Sequence, residues 1–227
     1  MPVFFSCRPR FFLPSALLFC LLLCGLWACP KASAAEEAFD LSTPFGAVEA
    51  VQYAIDTKDY SLFSSLVNVD SFVQKAVSDG LNAVSKKLAD ANKEAGDLTV
   101  DMLLSLVGDG VKEGDFVTSM VSGECKAFLQ AAVKGGYLAG KPDPSRAGSG
   151  GMFASGLKNL GKSRKEIIPT RELSRQDGEA TVEATWLDPQ AGVFPLRLRL
   201  AEMQGAWQVQ YVDNIREIVE MSTFHVP

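Results

Sequence analysis

The chain has 227 residues with 22 basic and 27 acidic side chains, which gives a net charge of −5 at pH 7. Such an acidic chain disfavours nucleic acid and anionic membranes as electrostatic partners. Its length is sufficient to bury one hydrophobic core, so we expect one domain once any leader is removed.

The first 34 residues have the order of parts that a secretory signal has. Arg8 and Arg10 precede an almost wholly apolar run at residues 13–27, and small side chains follow just before Ala35. This run is shorter than the roughly 20 residues that a membrane-spanning helix needs, so we favour a cleaved signal over a retained membrane anchor. We therefore expect residues 1–34 to be a signal peptide and the protein to be periplasmic or secreted.

Two cleavage sites compete in the stretch "LWACPKASAAEE". Cleavage after Ala34 follows the small residues "ASA" and releases a soluble chain. Cleavage before Cys29 follows "LWA" and leaves a cysteine ready for a lipid anchor, although bulky Trp27 occupies a position where a small or medium residue is usual. We favour the cut after Ala34 and keep a lipid anchor to the cell envelope at Cys29 as the alternative.

Cleavage after Ala34 changes both the charge and the cysteine content. Three basic residues and no acidic one precede that cut, so 19 basic and 27 acidic residues remain, a net charge of −8. Of the five cysteines, Cys125 alone remains. A lone thiol excludes an internal disulfide even in an oxidising compartment, so the domain must be stabilised by an ordinary core.

The expected domain comprises residues 35–227, and we predict that its first part, up to residue 134, is mainly helical. Thr43 as cap and Pro44 as first residue predict a helix start, and Val48, Val51 and Ile55 give it an apolar stripe. We predict the further helices at residues 59–67, from a cap at Asp70, from a start at Asp97, at 116–121 and at 125–133.

Residues 135–163 are rich in Gly, Pro and Ser, a composition that predicts a long mobile loop. The fragment "GSGGMFASG" within it resembles a phosphate-binding loop. No predicted strand precedes this fragment, however, and no Gly-Lys-Ser/Thr closes it, so we interpret it as a flexible connector.

From residue 164 the hydrophobic period becomes alternating. The segments "KEIIPTREL", "EATVEATWL", "VFPLRLRLA" and "AWQVQYV" predict four strands, and the short turns between them join antiparallel neighbours. The final "IREIVEM" has a composition compatible with a helix. The fold class is therefore α+β, with N-terminal helices packed on a C-terminal four-stranded antiparallel meander.

The alternation assigns side chains to the two faces of the predicted sheet. The inner, apolar face is predicted to carry Val182, Ala184, Trp186, Phe194, Leu196, Leu198, Leu200, Trp207, Val209 and Tyr211. On the wet face Glu183 is expected opposite Arg197, as a cross-strand ion pair. Arg171 would lie on the inner side if "DG" forms a two-residue turn, and it could there meet an acidic head group.

The sequence offers no catalytic or metal-binding constellation that we consider convincing. The single histidine, His225, stands near the C-terminus, where chains fray. Cys125 aligns with Phe128 and Leu129, which favours a buried structural thiol over a nucleophile. Acidic residues Asp109, Glu113 and Asp115 miss the EF-hand spacing. We expect no enzyme activity, no cofactor and no metal.

The inner face therefore holds the candidate site, and two interpretations of it stay open. Apolar residues on one face of a sheet are first of all expected to be core. If the helices cup the curved sheet without filling it, the same face lines an apolar pocket, with Tyr211 as a polar contact. The candidate ligand-binding residues are Trp186, Phe194, Leu198, Trp207, Val209 and Tyr211.

Two resemblances bear on this site. The opening "TPFGAVEAVQYAIDTKDYSLFSSLVNVDSFVQKAV" resembles an uncharacterised family of bacterial exported proteins, and the paired N-terminal helix with a terminal meander resembles the nuclear-transport-factor-like (cystatin-like) α+β cone. The stretch "ATVEATWLDPQAGVFPLRLRLAEMQGAWQVQYVDN" is similar to the C-terminal sheet of the periplasmic phospholipid-carrier (toluene-tolerance) family. That second resemblance implies acyl chains lying between the sheet face and the helices.

We therefore expect an exported, non-enzymatic envelope protein that binds an apolar small molecule, a lipid or an envelope protein through the inner face of its sheet. A periplasmic phospholipid carrier is one alternative. A structural or assembly lipoprotein with a filled core is the other. Nucleic acid is not an expected partner, and a membrane is expected only if Cys29 is lipidated.

Overall fold

The computed structural model describes residues 39–95 and 116–221. In these ranges the helices are α1 Pro44–Asp56, α2 Tyr60–Leu66, α3 Val69–Ala95, α4 Phe116–Lys134, α5 Pro144–Ala147, α6 Ala154–Leu160 and α7 Ile215–Met221, with a 3-10 turn at Gly151–Phe153. The strands are β1 Glu166–Gln176, β2 Glu179–Asp188, β3 Gly192–Met203 and β4 Ala206–Val212. This order confirms the predicted α+β class.

The four strands form one antiparallel sheet in the order β1-β2-β3-β4, which confirms the meander. The β2–β3 ladder is regular and places Glu183 opposite Arg197, as predicted. The ion pairs differ from the prediction, because Glu183 pairs with Arg171 of β1 at 3.1 Å and Arg197 pairs with Glu217 of α7. These two ion pairs connect the wet face of β2 and β3 to β1 and to α7.

Strand β1 is irregular, and this irregularity changes the location of Arg171. The register shifts between Pro169 and Arg171 and again between Glu172 and Ser174, where one strand has an extra residue. Arg171 consequently lies opposite Glu183 on the wet face, with 67% of its side chain exposed. The predicted inner location of Arg171, which assumed an unbroken register from the "DG" turn, is wrong.

Helix α1 begins where the sequence predicts. The Thr43 hydroxyl accepts the N–H of Gly46 at 3.1 Å, and Pro44 is the first helical residue. A Cβ at residue 46 would overlap the carbonyl group of Asp40, so the chain needs glycine at this position. The buried side of α1 packs across the inner face of the sheet and includes Val48, Val51 and Ile55.

Helices α3 and α4 correct two details of the prediction. Asn68, not Asp70, caps α3, since its side-chain oxygen accepts the N–H of Ser71 at 3.2 Å. Helix α4 is continuous where two short helices were predicted. Its Gly123 is exposed with open space around it, so that glycine weakens the helix by about 1 kcal/mol relative to alanine without breaking it. The helix predicted from Asp97 lies outside the described residues.

The segment 135–163, for which the composition predicts a long mobile loop, contains short helices. It contains α5, the 3-10 turn and α6, and it contributes Leu138, Ala147 and Leu157 to the core. A carboxylate oxygen of Glu124 on α4 accepts the N–H of Met152 at 2.7 Å. This backbone amide, which a phosphate-binding loop would offer to a phosphate, is therefore already hydrogen-bonded to an acidic side chain.

The buried side chains of the inner sheet face and of the covering helices form one hydrophobic cluster. No helix within 39–95 and 116–221 is both long and apolar enough to cross a membrane.

Candidate ligand-binding site

The helices cover the inner sheet face without filling the space above it. A cavity of about 410 Å³, partly open to solvent, lies between the sheet and the helices. All 17 residues that line it are aliphatic or aromatic. The sheet contributes Ile167, Trp186, Phe194, Leu196, Leu198, Val209 and Val212, and the covering segments contribute Val48, Val51, Ile55, Phe63, Val67, Phe72, Leu129, Leu138, Ile215 and Ile218.

The floor of the cavity differs in exposure from one end to the other. Leu198 and Val209, towards β4, are buried. Trp186 and Phe194 lie directly opposite each other beside the β2–β3 turn, and both are only half-buried. The floor is therefore more accessible at the Trp186–Phe194 pair than at Leu198 and Val209.

Four of the six candidate residues lie where the sequence predicts them. Trp186, Phe194, Leu198 and Val209 share the inner face and line the cavity. Alternation along β2 and β3 identified the first three because the ladder between those strands has no irregularity.

Trp207 is on the inner face but does not line the cavity. Only 4% of it is exposed, and its indole N–H donates to the carbonyl of Ser42 at 3.0 Å. The guanidinium of Arg175 lies 5.5 Å from the centre of its ring. Trp207 therefore closes the core beside the start of α1.

Tyr211 is on the opposite face, so its predicted inner location is wrong. The β3–β4 register shifts between Arg199 and Leu200, which places Tyr211 opposite Arg199 and Val212 opposite Leu198. Val212 therefore occupies the inner position that strict alternation assigned to Tyr211. The Tyr211 ring instead receives the ammonium of Lys75, 5.9 Å from its centroid.

A side-chain amide fixes one wall of the cavity to its floor. Gln52 of α1 donates to the carbonyl of Lys165 at 3.2 Å and accepts the N–H of Ile167 at 2.7 Å. These two bonds satisfy backbone groups at the open edge of the sheet, where β1 has no partner strand within residues 39–95 and 116–221 and a single bridge joins Arg164 to Ala139. They fix the distance between α1 and Ile167, which is one of the lining residues.

A buried charge pair fixes the same strand to the β2–β3 turn. The ammonium of Lys165, 1% exposed, contacts Asp188 at 3.1 Å and both the hydroxyl and the carbonyl of Ser163. Burial, the largest effect, raises the pKa of Asp188, but the N–H of Gln190 and the Lys165 ammonium together bring it below its usual value. All three ammonium protons have acceptors, which indicates a structural lysine.

Ion pairs of Arg164 further stabilise the β1 edge of the sheet. Arg164 donates to both carboxylate oxygens of Asp56, at 2.9 and 2.6 Å, and also pairs with Glu166. The hydrogen bonds from Arg164 hold the pKa of Asp56 below its ordinary value of 3.8, against the opposing effect of burial. The C-terminal end of α1 is thereby linked to the start of β1.

Helix α7 forms the remaining wall and is held by polar contacts outside the cavity. Asn214, 2% exposed, accepts the N–H of Arg197 at 2.8 Å and donates to the carbonyl of Pro195 at 2.9 Å. Arg216 reaches Asp79 of α3 at 3.3 Å, and Lys75 reaches the same carboxylate at 2.6 Å. These contacts orient the apolar side of α7 toward the sheet.

The sequence-based site omitted the helical half of the cavity. Val48, Val51 and Ile55 were identified as a stripe, so their periodicity was informative, but nothing in it indicated unfilled space. Ile215 and Ile218 are three residues apart in "IREIVEM", a spacing that places both on one helix face.

The other candidate groups do not meet at the cavity. Cys125 is half-buried rather than fully buried, and burial, followed by the charge of Glu124, raises the pKa of its thiol. Within residues 39–95 and 116–221, no three His, Cys, Asp or Glu side chains are grouped so that they could hold a metal ion. The leader with Cys29, the acidic stretch 109–115 and His225 lie outside the described residues.

No protein-family model, no curated protein and no solved structure matches this chain.

Proposed function

We propose that this chain is an exported, non-enzymatic protein of the cell envelope that binds an apolar ligand between its sheet and its helices. The observation that carries the proposal is the cavity of about 410 Å³, whose 17 lining residues are all aliphatic or aromatic. Ligand sites in proteins are concave and mostly apolar, with volumes of about 300–1,000 Å³. The lining supplies no acid, base or nucleophile for a reaction.

The size of the cavity favours a ligand over a filled core. Native interiors are close-packed, with few voids larger than a water molecule. Along an apolar space of about 410 Å³, the wall atoms lack the dispersion contacts that a packed interior provides. An apolar ligand in this space would restore those contacts, which supports a state in which a ligand occupies it.

Phospholipid carriage is the second candidate, and one observation favours it. The stretch that is similar to the phospholipid-carrier family, residues 180–214, contains six of the seven sheet residues that line the cavity. Those six are Trp186, Phe194, Leu196, Leu198, Val209 and Val212. A carried phospholipid would retain its head group, so its mass distinguishes it from a simple hydrocarbon or fatty acid.

Native mass spectrometry of the protein expressed with its own leader tests the proposal. We expect a non-covalent adduct that disappears when the protein is denatured, because apolar burial is the interaction that holds it. Extraction with organic solvent then identifies the adduct. A bare chain that also fails to bind a dansyl-labelled fatty acid would contradict the proposal.

A cavity-filling variant provides the matched test. Leu196→Trp adds a ring inside the cavity and should weaken binding of the dansyl-labelled fatty acid at least about tenfold while the melting temperature is kept, because tenfold corresponds to only about 1.4 kcal/mol of lost contact. Val193→Trp is the control, since Val193 is adjacent in sequence to the lining residue Phe194 but 65% exposed. Equal binding by both variants would place the ligand elsewhere.

A further inference from the structure

A second apolar groove lies between α3 and α4. Its volume is about 380 Å³, and it is more open to solvent than the cavity. Val73 and Val77 line it from α3, and Val121 and Cys125 line it from α4. In each helix the two residues are four apart, so they lie on one face.

The groove and the cavity share two side chains. Phe72 of α3 and Leu129 of α4 line both spaces, and both residues are half-buried. We refer to these two residues as the partition. Helix α3 starts beside β4, where the N–H of Asn68 donates to the carbonyl of Val209 at 2.8 Å, and Phe72 follows one turn later. The accessible Trp186–Phe194 pair lies at the other end of the floor, beside the β2–β3 turn.

We propose that the ligand is a single long hydrocarbon chain and that the partition sets the chain length that the cavity accepts. This inference rests on the proposed function of the cavity. An entirely apolar cavity favours every added methylene group until the chain meets a wall, at about 0.8 kcal/mol for each group buried. At the partition the wall is two side chains, with further apolar space immediately behind them.

The positions of Phe72 and Leu129 explain why these two residues would limit the chain length. A side chain packed on both sides is held by its neighbours, whereas Phe72 and Leu129 each have empty volume on two sides and lose dispersion contacts on both. Truncation of either residue would join the two spaces. An enlarged side chain would shorten the cavity.

The test measures binding of saturated fatty acids from octanoate to eicosanoate, one chain length at a time. For the wild type, affinity should rise with length and then reach a plateau. Phe72→Ala should move the plateau to chains several carbon atoms longer, and Phe72→Trp should move it to shorter chains. If Phe72→Ala fails to fold, Phe72→Trp and Leu129→Ala still decide the matter.

A control variant separates the partition from the groove behind it. Val73→Ala enlarges the groove alone, so it should leave the plateau at the wild-type length. A plateau that does not move in the partition variants, or that moves equally in Val73→Ala, overturns the inference. If the wild type binds no fatty acid of any length, the proposed function fails, which is a different result.

Cys125 supplies an independent readout because it lines the groove and not the cavity. Burial raises the pKa of its thiol, so alkylation by N-ethylmaleimide is measured at alkaline pH and quantified on the peptide that carries Cys125. In Phe72→Ala the longest fatty acids should slow this alkylation severalfold, and octanoate should not. Protection that is absent in the variant, or equal in the wild type, contradicts a partition.

Discussion

At the scale of single residues, two aromatic side chains of β4 have opposite roles from those that alternation suggests. Trp207 is buried but belongs to the closed part of the core, where its indole N–H reaches Ser42. Tyr211 is displaced to the wet face by one extra residue in the strand. Neither side chain lines the cavity, so the apolar floor is built without the polar contact that Tyr211 was expected to offer.

Trp207→Ala should therefore lower stability without affecting the cavity. We expect a loss of about 3–5 kcal/mol in the free energy of unfolding, measured by urea titration, because a large buried ring leaves a void behind. Tyr211→Ala, a control from the same strand, should lower it by about 1 kcal/mol, the usual size for a point substitution. Trp207→Ala with unchanged stability but lost fatty-acid binding would instead make Trp207 a wall of the cavity.

At the scale of elements, regular periodicity was sufficient to predict the fold, whereas the strand irregularities that displaced side chains were not visible in the sequence. The four strands, the β2–β3 register and the Thr43–Pro44 helix start follow from alternation and capping rules. One of the two shifts in β1 is marked by Pro169. The extra residue between Glu172 and Ser174 of β1 and the extra residue in β4 carry no sequence signal, because neither shift has a glycine or a proline beside it. Arg171 and Tyr211 were misplaced for this reason.

The same limit applies to the segment 135–163 and to the cavity itself. Glycine-rich composition predicted a loop, but buried Leu138 and Leu157 anchor short helices whose turns use those glycines. Whether an apolar face is filled depends on how far the helices stand from it. That distance is set by long-range contacts such as the Gln52 bonds to β1, which a single sequence does not reveal.

The link between α1 and β1 predicts a pH dependence. The pKa of Asp56 is lowered in the folded state by Arg164, so the stabilisation is fully present above the unfolded value of 3.8 and is lost as the pH falls through the lower folded value. Asp56→Asn should lower the free energy of unfolding by up to about 1 kcal/mol at neutral pH, the range of an exposed ion pair. It should also reduce the acid slope, by which we mean the decrease of that free energy as the pH falls. Urea unfolding between neutral pH and about pH 3 measures both quantities.

Glu166→Gln is the matched control for that experiment. It removes the other carboxylate that pairs with Arg164 and leaves the Asp56 fork in place, so most of the acid slope should persist. If Asp56→Asn and the wild type lose stability in parallel below pH 4, the link contributes nothing that depends on ionisation.

At the scale of the whole molecule, the described residues and the leader support the proposal in different ways. Under the proposal, the cavity would hold the apolar ligand, and residues 1–34, interpreted as a leader, would direct the protein to the compartment where it meets that ligand. An apolar ligand in the aqueous space of an envelope needs a carrier or a receptor that shields it from water. A soluble product would suit a carrier, and a lipid-anchored product would confine the cavity to a membrane surface.

The intact mass of the denatured protein, expressed with its own leader in a bacterial host, decides between these two products. We expect a chain that begins at Ala35, because Ala32–Ser33–Ala34 has small side chains at both positions that signal peptidases require. Trp27→Gly is the informative variant, since it places a small residue before Ala28 and Cys29 and so improves the competing site. A mass that includes diacylglycerol on Cys29 in the wild type would overturn the soluble product. An uncleaved leader would overturn both processed products and would instead indicate the retained membrane anchor that the length of residues 13–27 disfavours.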